Sequence, residues 1–344
     1  MPLSGVPAFS GLSFLLRIMS PDLCQTILYR LGGIFMDYAT FLETIRQALQ
    51  TRLGEDLQLV IRPVPKNNGV LMDGLSIQSS DSSLAPTVYL NPYYTLYRDG
   101  MSTEAICSDI LGLFQSSLPS DPFHEKDLNN FHDMKSRIMM RLIHTDSNQE
   151  LLQSIPHVPY LDLSIVFYLF LDRTSSGQMT SLIHKDLQER WKAETSELLR
   201  LALRNTPREY PDELKSMSEV MKDIARQNLG SDYNEDTLDL LLEEEANFSP
   251  LYVLSNSSGI YGACCMLYKN TLKNFADSLG YDLIIIPSSI HEVLLAPDNN
   301  NMSFEYLNSM VMNINQSEVP KEDRLSDHIY LYTRADDRIR IIQS

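Results

Sequence analysis

The sequence has no long apolar segment. Its longest apolar run, residues 163–171, falls far short of the roughly 20 residues that a transmembrane helix needs. Hydrophobic residues nevertheless make up 43% of the 344 residues, and charged residues make up 21%. This balance is typical of a globular protein with a sizeable core. We therefore expect a soluble cytoplasmic protein that does not bind a membrane.

Cysteine is scarce, and its spacing matches neither a zinc site nor a redox motif. The four cysteines are Cys24, Cys107, Cys264 and Cys265. Reduced, structural thiols in the cytoplasm account for them. Glycine-rich phosphate-binding loops of the Walker or dinucleotide type are also missing, so no cofactor-binding residues are predicted. The sequence leaves open whether any other cofactor is bound.

Basic residues are fewer than acidic residues. The chain has 28 lysines and arginines against 45 aspartates and glutamates, which gives a net charge of −17 and a pI near 4.8. Such a protein repels a phosphate backbone, so we do not expect ordinary nucleic-acid binding. Residues 230–250 carry seven acids and no basic residue. This segment reads as an acidic linker or a surface helix.

Residues 1–35 differ from the rest of the chain because their only charges are Arg17, Asp22 and Arg30. They lack the basic start and the cleavage site of a signal peptide. The glycines at 32 and 33 can be encoded by a purine-rich ribosome-binding sequence ahead of Met36. We expect a non-native leader or a disordered arm, with translation starting at Met36. The alternative is an arm that packs on the domain.

Hydrophobic periodicity predicts an α+β protein. Helices are expected over residues 37–53, 92–99, 103–117, 125–144, 185–191, 196–204, 219–228, 271–279 and 304–315. Strands are expected over residues 57–61, 70–77, 87–90, 160–171, 178–183, 251–254, 261–268, 283–286, 293–296, 328–332 and 338–342. Because short turns join many of these strands, we predict mainly antiparallel sheets built from hairpins, with helices packed on one face.

The pattern changes near residues 156–159, which predicts an N-terminal portion over 36–155 and a C-terminal portion over 156–344. The run that follows is almost continuously apolar, with Asp162 as its one carboxylate. Such a run is typical of a strand buried on both faces. Ile165, Phe167 and Leu169 occupy alternate positions and are expected to share one buried face.

Five short motifs carry a resemblance to a known family. They are PTVYLNPYY at 86–94, NTPR at 205–208, LSNSSGIYGA at 254–263, PSSIHEVLLAP at 287–297 and LSDHIYLY at 325–332. Over about residues 36–332 the chain resembles an uncharacterised bacterial domain-of-unknown-function family (DUF5688-like). That family occurs in anaerobic gut bacteria, often near mobile elements. The resemblance implies no reaction, ligand or catalytic residue.

The best site candidate is the polar segment between the predicted strands 283–286 and 293–296. Its Ser288, Ser289, His291 and Glu292, together with the distant Asp327 and His328, are the residue types of a nucleophile, a base and an orienting acid. His291, Glu292, Asp327 and His328 also suit zinc or manganese. The zinc-protease signature is incomplete, because Leu295 stands where its second histidine belongs. No Gly-x-Ser-x-Gly elbow occurs either.

A structural interpretation of the same segment competes with the catalytic one. In an extended strand His291 and Glu292 point to opposite faces, so they would not act as adjacent ligands. We expect His291 to bond a neighbouring backbone group, and Glu292 to be solvated or paired. The tyrosines near the start of the second predicted helix pose a similar choice. Tyr93 and Tyr97 share a helix face and form either an interface anchor or a cover for the nearby sheet.

Three functional hypotheses follow. The leading one is a non-enzymatic binding or regulatory protein with a protein partner, since no complete catalytic signature is present. The second is a hydrolase or metal-dependent enzyme centred on His291 and Glu292. The third is an acidic anti-restriction protein that imitates DNA, although only residues 232–245 form an acidic run free of basic residues. The sequence does not fix the oligomeric state.

Overall fold

The computed structural model describes residues 3–4, 36–54, 57–78, 87–116, 125–174, 177–229, 250–287, 289–299 and 303–342. Within these ranges the chain forms three sheets, and every pair of neighbouring strands is antiparallel. The predicted α+β class with mainly antiparallel sheets is confirmed. No helix in this part of the chain combines the length and apolar character needed to cross a bilayer.

The N-terminal unit is a three-stranded sheet packed against helices. Its elements are α1 (Tyr38–Leu53), β2 (Gln58–Pro65), β3 (Leu71–Gln78), β4 (Thr87–Tyr89), α2 (Asn91–Arg98) and α3 (Thr103–Ser116). The Asp37 side chain accepts the Thr40 N–H and caps α1. Phe41, Ile45 and Leu49 lie on the buried face of α1, in a hydrophobic core that extends to Phe114. The predicted turn at 67–69 joins β2 to β3.

The second sheet is built around one long strand. Its region contains α4 (Glu125–Leu128), α5 (Phe131–Met134), β5 (Ile138–His144), α6 (Gln149–Ser154), β6 (His157–Tyr160), β7 (Leu163–Thr174), β8 (Gly177–Leu182), α7 (Lys185–Trp191) and α8 (Thr195–Glu209). Strand β7 pairs with β5, β6 and β8. A two-residue strand, β1 (Leu3–Ser4), pairs with β8. Apart from these two residues, the segment interpreted as a leader lies outside the described residues.

The third sheet has six strands in the order β14-β13-β11-β12-β10-β9. The elements of this region are β9 (Asp212–Ser216), α9 (Met217–Leu229), β10 (Tyr252–Asn256), α10 (Thr271–Leu279), β11 (Leu283–Ile286), β12 (Val293–Pro297), α11 (Phe304–Ser317), β13 (Tyr330–Thr333) and β14 (Arg338–Ile341). The hairpin predicted around the 287–292 segment is present as β11 and β12. The acidic run 232–245 lies outside the described residues.

One large hydrophobic core joins the second and third sheets. It extends from Leu128 to Tyr332, whereas the core of the N-terminal unit contains residues 41–114 only. As predicted, β7 is buried on both faces, since Ile165, Phe167 and Leu169 are buried together with Val166 and Tyr168 between them. The boundary predicted after residue 155 falls between β5 and β6, two strands that both pair with β7.

The helix predicted over 125–144 is wrong in its second half, which forms strand β5. Its residues Ile138, Met139 and Met140 are all buried, so helical and extended spacing cannot be told apart there. Antiparallel pairing with β7 holds it extended, and α8 adds further contacts. Asn205 donates to the carbonyls of Lys135 and Ile138, and the Met140 N–H donates to the Thr206 hydroxyl at 3.1 Å.

The strand predicted over 261–268 is also wrong, because residues Gly262–Leu267 form a 3-10 helix. Tyr261 has a left-handed backbone with φ of 57°. Gly262 packs directly on the backbone, where a Cβ atom would collide with the Ser255 side chain and the His291 carbonyl oxygen. Cys264 and Cys265 are therefore buried in a helical turn rather than on opposite faces of a strand.

Candidate functional site

The polar segment between β11 and β12 forms a turn that is stabilised by hydrogen bonds among its own residues. Ser289 has no exposed surface, and its Oγ donates to Glu292 Oε1 at 3.0 Å while accepting the His291 N–H at 3.0 Å. The Ser289 N–H also donates to the Glu292 carbonyl at 3.3 Å. These bonds form a compact turn whose serine hydroxyl is already engaged. Ser288, the other predicted nucleophile, lies outside the described residues.

His291 is buried, and both of its ring nitrogens have partners. Nδ1 accepts the Tyr261 N–H at 3.3 Å, and Nε2 lies 3.3 Å from Asp323 Oδ1. These two contacts require the tautomer with the proton on Nε2. The Tyr261 ring stacks on the imidazole with a centroid distance of 5.9 Å. His291 therefore bonds a neighbouring backbone group, as the structural interpretation predicted.

Asp327 and His328 have other partners than His291 and Glu292. His328 Nδ1 lies 3.1 Å from Asp162 Oδ2, whereas Asp327 Oδ1 accepts a hydrogen bond from Asn315 at 2.8 Å. No described hydrogen bond or ion pair joins Asp327 or His328 to His291 or Glu292. No group of three or more His, Cys, Asp or Glu side chains suited to a metal ion occurs among the described residues.

We call the second group the Asp162 cluster and define it as Asp162, Ser326, His328 and Tyr330. Ser326 Oγ donates to Asp162 Oδ2 at 2.6 Å, and the Tyr330 hydroxyl donates to Oδ1 at 2.8 Å. Burial by itself raises the pKa of Asp162, but the hydrogen bonds from Ser326, His328 and Tyr330 outweigh it. The pKa of this carboxyl therefore lies below its usual value.

The turn at 67–69 fastens the N-terminal unit to the rest of the molecule. Asn68 is buried, and its side-chain amide donates to the carbonyls of Lys321 and Arg324 at 2.7 and 2.8 Å. Its backbone N–H donates to Asn148 Oδ1 at 2.7 Å, and Asn148 returns a bond to Asn68 Oδ1 at 2.8 Å. Asn67 donates to the Glu322 carbonyl at 2.9 Å. Two adjacent asparagines thus link three separate turns.

Beside this junction lies a second polar group, which we call the Lys66–Arg141 cluster and define as Lys66, Tyr89, Arg141 and Tyr261. The Lys66 ammonium lies 4.1 Å from the centre of the Tyr89 ring. The Arg141 guanidinium carbon lies 4.7 Å from the centre of the Tyr261 ring. Both cations are half-buried, and each rests on an aromatic face.

Two polar atoms of this cluster are unsatisfied. Arg141 Nε and the Tyr89 hydroxyl are buried without a hydrogen-bond partner among the described residues. Burial lowers the pKa of Lys66; Tyr261 opposes this effect, while the positive charge of Arg141 adds to it. Burial likewise raises the pKa of Tyr89. The cluster therefore holds positive charge and a hydrogen-bond donor for which the described chain supplies no acceptor.

Sequence reasoning named His328 as a candidate but identified neither cluster as a group. Asp162 stands out as the one carboxylate in an apolar run, and Arg141 as the one charge in the apolar strand β5. Lys66 and Asp323 have no comparable signal, because they lie in turns where charged residues are ordinary. Only tertiary contacts bring Asp323 beside His291 and the turn at 67–69 beside Glu322.

The predicted tyrosine pair belongs to the core of the N-terminal unit. Tyr93 is buried, and its hydroxyl donates to Asp109. Tyr97 is half-buried against the Phe41 ring, and its hydroxyl accepts the Met36 N–H at 3.2 Å. Tyr93 and Tyr97 therefore pack on the core of the N-terminal unit, which is the alternative to an interface anchor.

Fold and sites together define an α+β protein with three antiparallel sheets and two polar clusters. The chain belongs to a family of unknown function, DUF5688, whose model matches residues 38–334. The resemblance carried by the five sequence motifs is thus confirmed. No curated protein matches the chain, and no solved structure matches it.

Proposed function

We propose that this protein is a non-enzymatic binding or regulatory protein whose partner is another protein. The observation that supports the proposal is the division of the candidate catalytic residues between two separate clusters. His291 is held by Tyr261 and Asp323, and His328 lies beside Asp162. A general base needs a ring nitrogen free to take a proton from the reacting group. Neither nitrogen of His291 meets that requirement.

The alternative is a hydrolase or metal-dependent enzyme centred on His291 and Glu292. It requires a nucleophile or a metal within reach of the histidine. Ser289 offers no exposed hydroxyl, and Glu292 Oε1 already accepts from it. The third hypothesis, an acidic DNA mimic, depends most on residues 232–245, which lie outside the described part of the chain. No described contact favours either alternative over a binding protein.

The test replaces His291 and Glu292 separately by alanine and measures thermal stability and bound metal. We expect His291→Ala to lose about 2 kcal/mol of stability, since the buried Tyr261 N–H and the half-buried Asp323 carboxylate lose their hydrogen bonds. His132→Ala is the matched control, because the His132 side chain is 91% exposed and this change should leave stability unaltered. Purification of the tagged chain from its native host, followed by reconstitution with the captured protein, then identifies the partner.

Stoichiometric zinc or manganese in the wild-type protein, lost from both variants while the fold persists, would overturn the proposal. Such a result would establish His291 and Glu292 as ligands and favour the metal-dependent enzyme. Equal stability of His291→Ala and wild type would also count against the structural role of the imidazole.

A further inference from the structure

Lys66 and Arg141 lie half-buried in a chain rich in carboxylates. Acids outnumber bases by 45 to 28, and several other cations of the described residues form ion pairs, as in Lys135–Glu197 and Lys215–Asp223. No carboxylate of the described residues forms an ion pair with Lys66 or Arg141. Both cations are nevertheless half-buried, where a lone charge is costly. An unpaired cation in such a position indicates a site that another molecule completes.

Two carboxylates act on Lys66 from a distance without pairing with it. Asp323 Oδ1 lies 3.3 Å from His291 Nε2. Asp323 and Glu322 both favour the charged form of Lys66 electrostatically, but neither forms an ion pair with its ammonium among the described contacts. The Lys66 ammonium therefore has no directly bonded anionic partner within the described residues.

The cluster offers hydrogen-bond donors as well as positive charge. Among the described residues, the buried Arg141 Nε–H donor and the buried Tyr89 hydroxyl have no hydrogen-bond partner. Lysine offers a point charge with several donors, and arginine offers a planar array of donors. The positive charge of Arg141 acts on Lys66, and donors of both kinds in one neighbourhood fit an oxyanion, which accepts from several directions at once.

We propose that the Lys66–Arg141 cluster is a binding site for a small oxyanion, a phosphate- or carboxylate-bearing molecule held between the turn at 67–69 and strand β5. The occupant is a small molecule rather than a polyanion, because the net charge of −17 repels a nucleic acid and the cations are half-buried. The inference does not depend on the proposed function, since a binding protein and an enzyme can both hold such an anion.

Because of where the cluster lies, a bound anion would link separate units of the molecule. Lys66 belongs to the N-terminal unit, Arg141 to the second sheet, and Tyr261 to the turn that supports His291. An anion bridging the two cations therefore adds a link between the units already joined by Asn68. Ligand binding to the folded state raises its stability by mass action, so the anion should raise the melting temperature.

The test titrates the full chain with inorganic phosphate in one arm and acetate in the other, at ionic strength held constant with sodium chloride. Melting temperature and calorimetric titration are the two readouts. We expect a saturable rise in melting temperature with at least one anion and none with chloride. Lys66→Met and Arg141→Met should each weaken the affinity at least about tenfold, because each removes a charged donor.

Matched controls separate a site from general charge effects. Lys269→Met and Arg98→Met remove the same charges from exposed positions and should bind as the wild type does. Lys66→Arg keeps the charge and should stay within a few fold of wild type, and Lys66→Gln replaces the methionine variant if that variant does not fold. Saturation with phosphate alone or acetate alone identifies the anion class. No saturable effect with either anion, or equal affinity in Lys66→Met and wild type, would overturn the inference.

Discussion

The Asp162 cluster and the Lys66–Arg141 cluster differ in whether their charged groups have hydrogen-bonding or ionic partners within the chain. In the first, one carboxylate receives hydrogen bonds from Ser326, Tyr330 and the His328 ring. In the second, each of two cations lies over its own aromatic ring, and no described carboxylate forms an ion pair with them. A buried charge is tolerated when its hydrogen bonds are complete, and it is costly when they are not.

The difference separates a structural role from a binding role. The Asp162 cluster joins the start of β7 to β13, and the hydroxyl protons of Ser326 and Tyr330 are both donated to Asp162. Within the described part of the chain, Arg141 Nε and the Tyr89 hydroxyl of the Lys66–Arg141 cluster remain buried without partners. Proteins retain such unfavourable arrangements mainly at functional sites, where stability is lost in exchange for activity.

The largest effect should come from the apolar core, which sets the scale for both clusters. Phe167 is fully buried on β7, so Phe167→Ala should destabilise the protein by about 3–5 kcal/mol through lost burial and a cavity. Denaturant unfolding measures the loss. Tyr306→Ala is the control, because Tyr306 is 65% exposed. A loss under about 1 kcal/mol for Phe167→Ala would contradict the burial of this ring.

The junction beside the cationic cluster should give the next largest effect. Asn68→Ala should cost about 3 kcal/mol, since it removes bonds to two other turns and places alanine at a left-handed φ. Asn68→Gly tolerates the same backbone and should cost about 1 kcal/mol less. Equal losses in the two variants would show that backbone strain contributes nothing, and thermal unfolding of both variants decides the question.

The protein should become less stable when the charge of the Asp162 cluster is removed. Asp162→Asn should cost about 2 kcal/mol near neutral pH, because three donors lose a carboxylate acceptor. The folded-state pKa of Asp162 is depressed, so its stabilisation is present above the usual value of 3.8 and is lost as pH falls through the folded value. The stability difference between wild type and variant should therefore shrink in acid. Asp336→Asn, at an exposed position, is the control and should leave stability near neutral pH unaltered.

The smallest effect should have the opposite sign. Lys66→Met removes one of two unpaired cations and should leave stability unchanged or raise it by about 1 kcal/mol. Thermal unfolding without added anion measures it, and Lys269→Met provides the exposed control. A loss as large as that of Asp162→Asn would mean that Lys66 is already satisfied within the chain, and the contrast between the clusters would disappear.

Much of the fold could be predicted from local patterns. The spacing of residues 271–279 and the following Gly280 predicted α10 with its observed bounds, and the apolar run around Phe167 predicted a strand buried on both faces. The hairpin of β11 and β12 followed from two short apolar runs flanking a polar turn. These features depend on neighbours a few residues apart, which periodicity records directly.

The candidate site could be predicted only in part. The structural role of His291 followed from strand alternation, but its partners Tyr261 and Asp323 lie 30 and 32 residues away along the chain. The prediction of a strand at 261–268 failed because Gly262 must pack on the His291 backbone, a contact invisible in local spacing. The grouping of Lys66 with Arg141 likewise depends on docking between units.

The sequence by itself determined most of the element types, the antiparallel class and the two-sided burial of β7, because the alternation and the periods of apolar residues specify which faces are buried. The tertiary structure decided that residues 138–144 form a strand, since β7 pairs with them along their full length and Asn205 and Thr206 of α8 add further hydrogen bonds. It also decided which charges are satisfied. Charge pairing depends on contacts between residues far apart in the chain, and no local pattern encodes those contacts.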